Sequence, residues 1–233
     1  MSEGAPAGAL TVEDLGRMAY GPAFERQRDA HERILRARES GGPLTGIVLL
    51  VEHDPPVITL TRRAAPNLIA TREHLARLGV DLAETDRGGD ITYHGPGQLV
   101  VYPIFDLQRL GWNLHRHMRE LEQVVIDACA HWGVEARRDP GATGVWVGEQ
   151  PPAKVCALGV RVRRWVSMHG LALNVTTNLA HFDLIVPCGL AGRPVTSLER
   201  LLGARCPSMS EAKERLAAGL QRATGLERWV SSV

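Results

Sequence analysis

The chain has no apolar run long enough to cross a bilayer: its longest, Ile47-Val48-Leu49-Leu50-Val51, is only the length of a strand. No block of like charge marks a nucleic-acid-binding arm, and the net charge over 233 residues is only +1. The first ten residues carry no basic group ahead of an apolar stretch, which predicts a short disordered tail and not a secretory signal. The four cysteines, Cys129, Cys156, Cys188 and Cys206, are not closely paired, which points to free thiols in a reducing, cytoplasmic setting. Cys-x-x-Cys and His-x-x-x-His are both absent, and His115 and His117 would face apart on a helix, so the spacing names no metal site. There is no Gly-x-Gly-x-x-Gly opening a helix and no lysine following a glycine, so the standard nucleotide loops are missing and no cofactor is implied. Lysine itself is nearly absent. Of 27 basic residues only Lys154 and Lys213 are not arginine. A guanidinium does not release its proton, so a chain that uses arginine almost everywhere still needs lysine where a proton must come and go. That singles out Lys154, because Lys213 falls on an amphipathic helical pattern where a solvated role is the default.

What remains is ordinary for a folded protein. Hydrophobic residues make up 44% of the chain and charged residues 23%, enough for a sizeable core. No repeat, low-complexity segment or long linker divides it, so the expectation is a tail over 1–10 and a single domain over 11–233. Apolar spacing predicts helices over 22–39, from Thr71 through Leu78, from Asn113-capped Leu114 to about Trp132, and after Ser208-Met209-Ser210-Glu211, a capping-box sequence, to near Gly225. Strand patterns fall at 46–52, 57–61, 99–105, 144–147, 154–162 and 166–175, with Pro103 suggesting an edge strand or a bulge in the third. Strands that follow one another as hairpins, with helices between, favour an α+β fold of mixed and antiparallel sheets packed with helices.

Four segments hold residues able to do chemistry. In the first, over 87–98, Arg87, Gly88, Gly89 and Asp90 lead into Ile91, Thr92, Tyr93 and His94, then a second glycine turn. Backbone with so little side chain approaches a ligand or a neighbouring strand closely. Arg87 can hold an anion and His94 can bond a substrate; equally, the segment reads as a tight hairpin with a surface arginine and a satisfied turn histidine. In the second, Lys154 opens the apolar run Val155-Cys156-Ala157-Leu158-Gly159. Strand alternation would put Lys154 and Cys156 on one face, with the lysine either at a solvated strand end or in a cleft supporting a thiolate. In the third, His169, Gly170, Leu171, Ala172, Leu173 and Asn174 alternate as a strand with one packed face. In the fourth, Pro187 and Gly189 set Cys188 in a turn, which exposes the thiol and frees neighbouring N–H groups. Cys129 fits an inert, buried place on its helix stripe, and Cys206 a loop.

Taken in order, these segments resemble the octanoyl/lipoyl(octanoyl) transferases, relatives of the biotin and lipoate protein ligases, over about residues 17–224. The resemblance rests on Arg87-Gly-Gly…Thr92-Tyr93-His94-Gly95-Pro96-Gly97-Gln98, Lys154…Leu158-Gly159, His169-Gly170…Ala172-Leu173-Asn174, and Pro187-Cys188-Gly189. It implies a ligase-like catalytic domain that moves an octanoyl group from octanoyl-acyl carrier protein to a lysine of lipoyl domains. Those acceptors are the E2 subunits of 2-oxoacid dehydrogenases and the glycine cleavage H protein. It places the acyl-thioester at Cys188 and an activating lysine, acid and base in turn, at Lys154. Substrate contacts fall on Arg87, Gly88, Gly89, Asp90, Ile91, Thr92, Tyr93 and His94, on Ala157, Leu158 and Gly159, and on Gly170, Leu171 and Ala172. Leu171 stands where the family commonly has an aromatic, and Cys156 is an extra thiol near the site. If both partners are acidic, as is typical of the family, Arg161, Arg163, Arg164 and Arg193 become docking candidates. An ATP-dependent lipoate or biotin ligase is the competing reading, sharing the fold but activating a free acid.

Overall fold

The computed structural model describes residues 8–186 and 193–228. Its centre is an eight-stranded sheet. Along the chain its members are β1 (Ala9–Met18), β2 (Leu44–His53), β6 (Gln98–Phe105), β7 (Ala136–Asp139), β8 (Ala142–Val147), β9 (Ala153–Arg163), β10 (Val166–Asn174) and β11 (Glu227–Arg228). In space they run β11-β1-β2-β6-β10-β9-β8-β7. The pairings of β1 with β2 and β11 are parallel and the rest antiparallel. A smaller sheet, β4-β3-β5, is built from β3 (Val57–Leu60), β4 (Asp81–Glu84) and β5 (Ile91–His94). Among the described residues there are five α-helices: α1 (Tyr20–Glu39), α2 (Arg72–Leu78), α3 (Leu114–His131), α4 (Leu198–Leu202) and α5 (Met209–Thr224). This is the mixed α+β architecture that the sequence pattern favours.

Two of the long helices, α3 and α5, start where a side chain satisfies their first N–H groups, whereas α1 starts after Ala19 without one. Asn113 accepts from Arg116 N at α3, and Ser208 and Glu211 form a reciprocal capping box at α5. The apolar stripes of α3 and α5, including Leu121, Val125, Leu216 and Leu220, pack on one face of the large sheet with Val101, Leu173 and Cys156. On the other face α1 covers only part of the sheet, through Ala30, Ile34 and Leu35 against Ile47, Val100 and Tyr102. The small sheet has its own apolar cluster, with Ile58, Ile91, Tyr93 and Phe182. Among the described residues no helix is long and apolar enough to cross a membrane.

Three expectations need correction. The tail does not reach residue 10: Ala9 and Leu10 already belong to β1. That strand escapes a pattern search because Glu13, Asp14, Gly16 and Arg17 break the alternation, with Gly16 at φ 64 inside a register shift. Pro103 does not mark an edge, since β6 lies between β2 and β10. It sits instead where the β6–β10 ladder stops at Val101↔Leu171, with its ring turned toward Gly170, and Ser167 Oγ bridges the gap by donating to Pro103 O at 2.8 Å. Lastly, Lys154 and Cys156 do not share a face. Register shifts by one residue between Val145↔Cys156 and Trp146↔Lys154, so Val155 is a bulge that reverses the alternation. Val155 and Cys156 both enter the core under α3, and Lys154 faces the opposite side.

Candidate active site

Where α1 leaves the large sheet uncovered, the small sheet stands over it and encloses a cavity of about 490 Å³. Its floor is made by small or apolar residues of three adjacent strands. Val100, Ala172 and Ala157 form one row and Gly170 with Gly159 the next, by the β6–β10 and β10–β9 registers. The loop before β5 supplies Arg87, Gly88, Gly89 and Asp90, and β5 supplies Ile91, Thr92 and His94. Leu158 and Leu171 also touch the space. Of the residues expected to meet substrate, only Tyr93 lies outside this wall: alternation along β5 turns it into the satellite core, where its hydroxyl meets His181 Nδ1 at 2.9 Å.

Lys154 enters the cavity from the bulged start of β9 and is buried. Its Nζ lies 4.7 Å from the centre of the Trp146 ring, a cation–π contact. The guanidinium of Arg193 stacks on the same ring at 4.0 Å and pairs with Asp139. Gly144, at φ 130, is the residue that makes room: a Cβ there would stand 2.8 Å from Cys156 O and 3.0 Å from Lys154 Cε. Backbone bonds Lys154 N→Pro194 O and Thr196 N→Lys154 O, both 2.9 Å, lay residues 194–196 alongside the lysine as a short extra strand.

Cys188 lies outside the described residues. The chain before it is tied down by Val186 N→Asn67 O at 2.7 Å and the Leu68↔Ile185 bridge. The chain after it resumes at Arg193 and Pro194, beside Lys154. The other three thiols are poor nucleophiles by environment. Burial raises Cys129 to about 12 and pushes Cys156 further up, while partial burial raises Cys206.

A neutral polar wall closes the cavity. Gln98 donates from Nε2 to Tyr93 O (3.2 Å) and to Asn174 Oδ1 (2.9 Å), leaving its oxygen for His94 Nδ1 at 2.7 Å. His94 Nδ1 therefore carries the proton and Nε2 a lone pair. Burial, helped by nearby His53, holds this imidazole well below the usual histidine range, so it stays uncharged. Asn174 continues the chain by donating to Thr196 O at 2.9 Å, which links the wall to the strand beside Lys154. His169, at φ 59, is buried, lowered to about 3 by burial and by Arg87 and Arg161, and bonds Asp86 through Nε2 at 2.9 Å. Spacing alone did not assign Tyr20, Thr59, Val100, Tyr102, Leu114 or Met118 to the cavity. Val100 and Tyr102 lie on β6, which is apolar and buried on both faces and so gives no alternation to read, and Tyr20 and Leu114 arrive from helices whose placement no local signal gives.

The arrangement suits an extended apolar chain with a reactive polar end: an apolar floor, an uncharged wall at Gln98, His94 and Asn174, Arg87 and Asp90 in the loop before β5, and Lys154. Residues 24–221 match the lipoyl protein ligase A/B catalytic domain, and the chain belongs to that family. Curated relatives of this chain include octanoyltransferases. That of Chloroflexus aurantiacus is 45% identical over 96% of this chain and 98% of its own length. That of Chloroflexus aggregans is 47% identical over 91% and 93%. Solved structures agree at the level of the fold. A bipartite lipoate protein ligase from Thermoplasma acidophilum, studied with its E2 lipoyl domain, superposes with a TM-score of 0.66 at 16% identity, covering 97% of this chain and 88% of that one. A lipoate-protein ligase A bound with ATP gives 0.67 at 16% identity, covering 97% and 90%.

Proposed function

We propose that this protein is an octanoyltransferase of protein lipoylation working through a Cys188 thioester. The observation that carries the reading is the buried Lys154 in an apolar-floored cavity, paired with residues 194–196 of the chain that follows the Cys188 segment. Lys154 takes the thiol proton, and the Cys188 thiolate attacks the thioester carbonyl of octanoyl-acyl carrier protein. The carrier thiol leaves with a proton returned by Lys154. The amine of a lysine on a lipoyl domain, of an E2 subunit or the glycine cleavage H protein, then attacks the enzyme thioester. Its carbon–nitrogen bond forms as the carbon–sulfur bond to Cys188 breaks, and Lys154 relays the amine proton to the sulfur. Thioester exchange is nearly isoenergetic and amide formation drives the second step, so no nucleotide is consumed. Arg87, Gly88, Gly89, Asp90, Ile91, Thr92, His94, Ala157, Leu158, Gly159, Gly170, Leu171 and Ala172 hold the acyl chain and its head, and the reaction belongs to the cytoplasm.

The test is intact-mass measurement after mixing the protein with octanoyl carrier. One octanoyl adduct is expected, lost in Cys188→Ala and passed on to a lipoyl domain. An adduct persisting in that variant would reassign the nucleophile, and turnover that requires ATP would make the protein a ligase. Lys154→Arg keeps the charge but not the proton transfer, so the expected outcome is a rate lower by about a hundredfold or more.

A further inference from the structure

The loop over 86–90 joins the small sheet to the cavity, and one residue outside the assigned segments fastens it. Asp86 takes a bond from His169 Nε2 at 2.9 Å through one carboxylate oxygen and pairs with Arg161 through the other. Arg161 and His169 are diagonal neighbours on β9 and β10, since Met168 is opposite Arg161 and His169 opposite Val160. One carboxylate therefore spans two strands of the large sheet from a loop that belongs to the small one. Around it the loop settles onto the floor: Gly88 N donates to Val160 O at 3.0 Å, and Gly159 lies so close that a Cβ on it would be 2.7 Å from Gly88 O. Thr85, just before, is held by Leu60 O at 3.0 Å and by the Tyr20 hydroxyl at 3.1 Å. Arg87, just after, folds back to Thr59 O and Oγ1 at 3.2 and 3.1 Å. His169 meets Asp86 from φ 59, a backbone conformation that a histidine adopts at a cost and that its N–H bond to Gln27 Oε1 (2.9 Å) sustains.

We propose that Asp86 is a positioning residue, whose carboxylate locks the 87–90 loop over β9 and β10 and so fixes the roof against which the acyl chain is held. Its side chain is 46% exposed, so its removal leaves no cavity in the core. The proposal rests on the cavity being the acyl site, and its tests separate the two ideas. In Asp86→Ala the KM for octanoyl carrier is expected to rise about tenfold with kcat changed by no more than about twofold, because an unfastened roof weakens binding and leaves the Cys188–Lys154 chemistry in place. Adding Arg161→Ala to Asp86→Ala should cost little more than Asp86→Ala alone, since both break one contact. The Arg87–Gly88 peptide bond should also be cut several-fold faster by trypsin in Asp86→Ala, read by mass spectrometry of the fragments. An unchanged KM, a fully additive double variant, or unchanged cleavage at Arg87 overturns the latch. If the wild-type chain transfers no octanoyl group, the functional reading fails, and the trypsin comparison, which needs no substrate, still decides the role of Asp86.

Discussion

His117 is the residue most at odds with its surroundings. It is fully buried on α3 between the Phe105 and Trp112 rings, and neither ring nitrogen has a hydrogen-bond partner among the described residues. Burial lowers it to about 4, so the neutral ring is carried with two unsatisfied polar atoms. His117→Leu is expected to raise stability by about 1 kcal/mol near pH 7.5, measured by urea unfolding, because it removes that penalty and fills much the same space. A destabilised variant would show that the ring is satisfied by water. The helical period puts His117, four residues before Leu121, on the buried stripe of α3 and His115 off it, but it says nothing of the missing partners. Lys154 is the opposite case. It was legible from scarcity alone, as one of two lysines among 27 basic residues, yet its companions were not. Trp146, Arg193 and Gly144 reach it through strand pairing and loop return, which spacing along the chain does not encode.

The elements that read most clearly were those with a strong period and a cap. The helices from Leu114 and Met209 stand within a residue or two of expectation, because Asn113 and the Ser208–Glu211 box mark their starts and an apolar stripe faces one core. Less visible were the exposed β4 and β7, and β1 with its charged middle, where pairing and not pattern makes the strand. The bulge at Val155 was invisible for the same reason: a register shift belongs to two strands, and one strand's sequence cannot announce it. Had regular alternation held, Lys154 would have shared the core with Cys156. This element carries its own prediction. Gly144→Ala places a methyl group against Cys156 O and Lys154 Cε at a φ of 130, so it should cost about 1–3 kcal/mol in unfolding free energy. It should also slow acyl transfer by pushing the lysine stem aside. A variant with wild-type stability and rate would mean that β8 shifts to accommodate the methyl.

Across the whole molecule, burial sets the acid response. His53 and His117 are each lowered to about 4 and His169 to about 3, in every case first by burial, from an ordinary value of 6.5. Unfolding lets these rings bind protons that the folded chain refuses. Stability is therefore full above about pH 6.5 and declines as the pH falls toward 4, where the folded state begins to protonate too. The urea midpoint should drop steadily between pH 7 and pH 4.5, and His117→Leu should lessen the slope; a level midpoint would contradict the argument. The fold class was legible from the mixture of strands and helices, and the absence of nucleotide loops was legible too. The parallel pairing of β1 with β11 joins Ala9 to Glu227 and Leu10 to Arg228. During synthesis, then, the start of β1 waits for this partner until nearly all of the described chain has left the ribosome. That leaves an open hydrogen-bonding edge for much of translation, when it can pair with other chains, and it favours slow, late closure of the sheet.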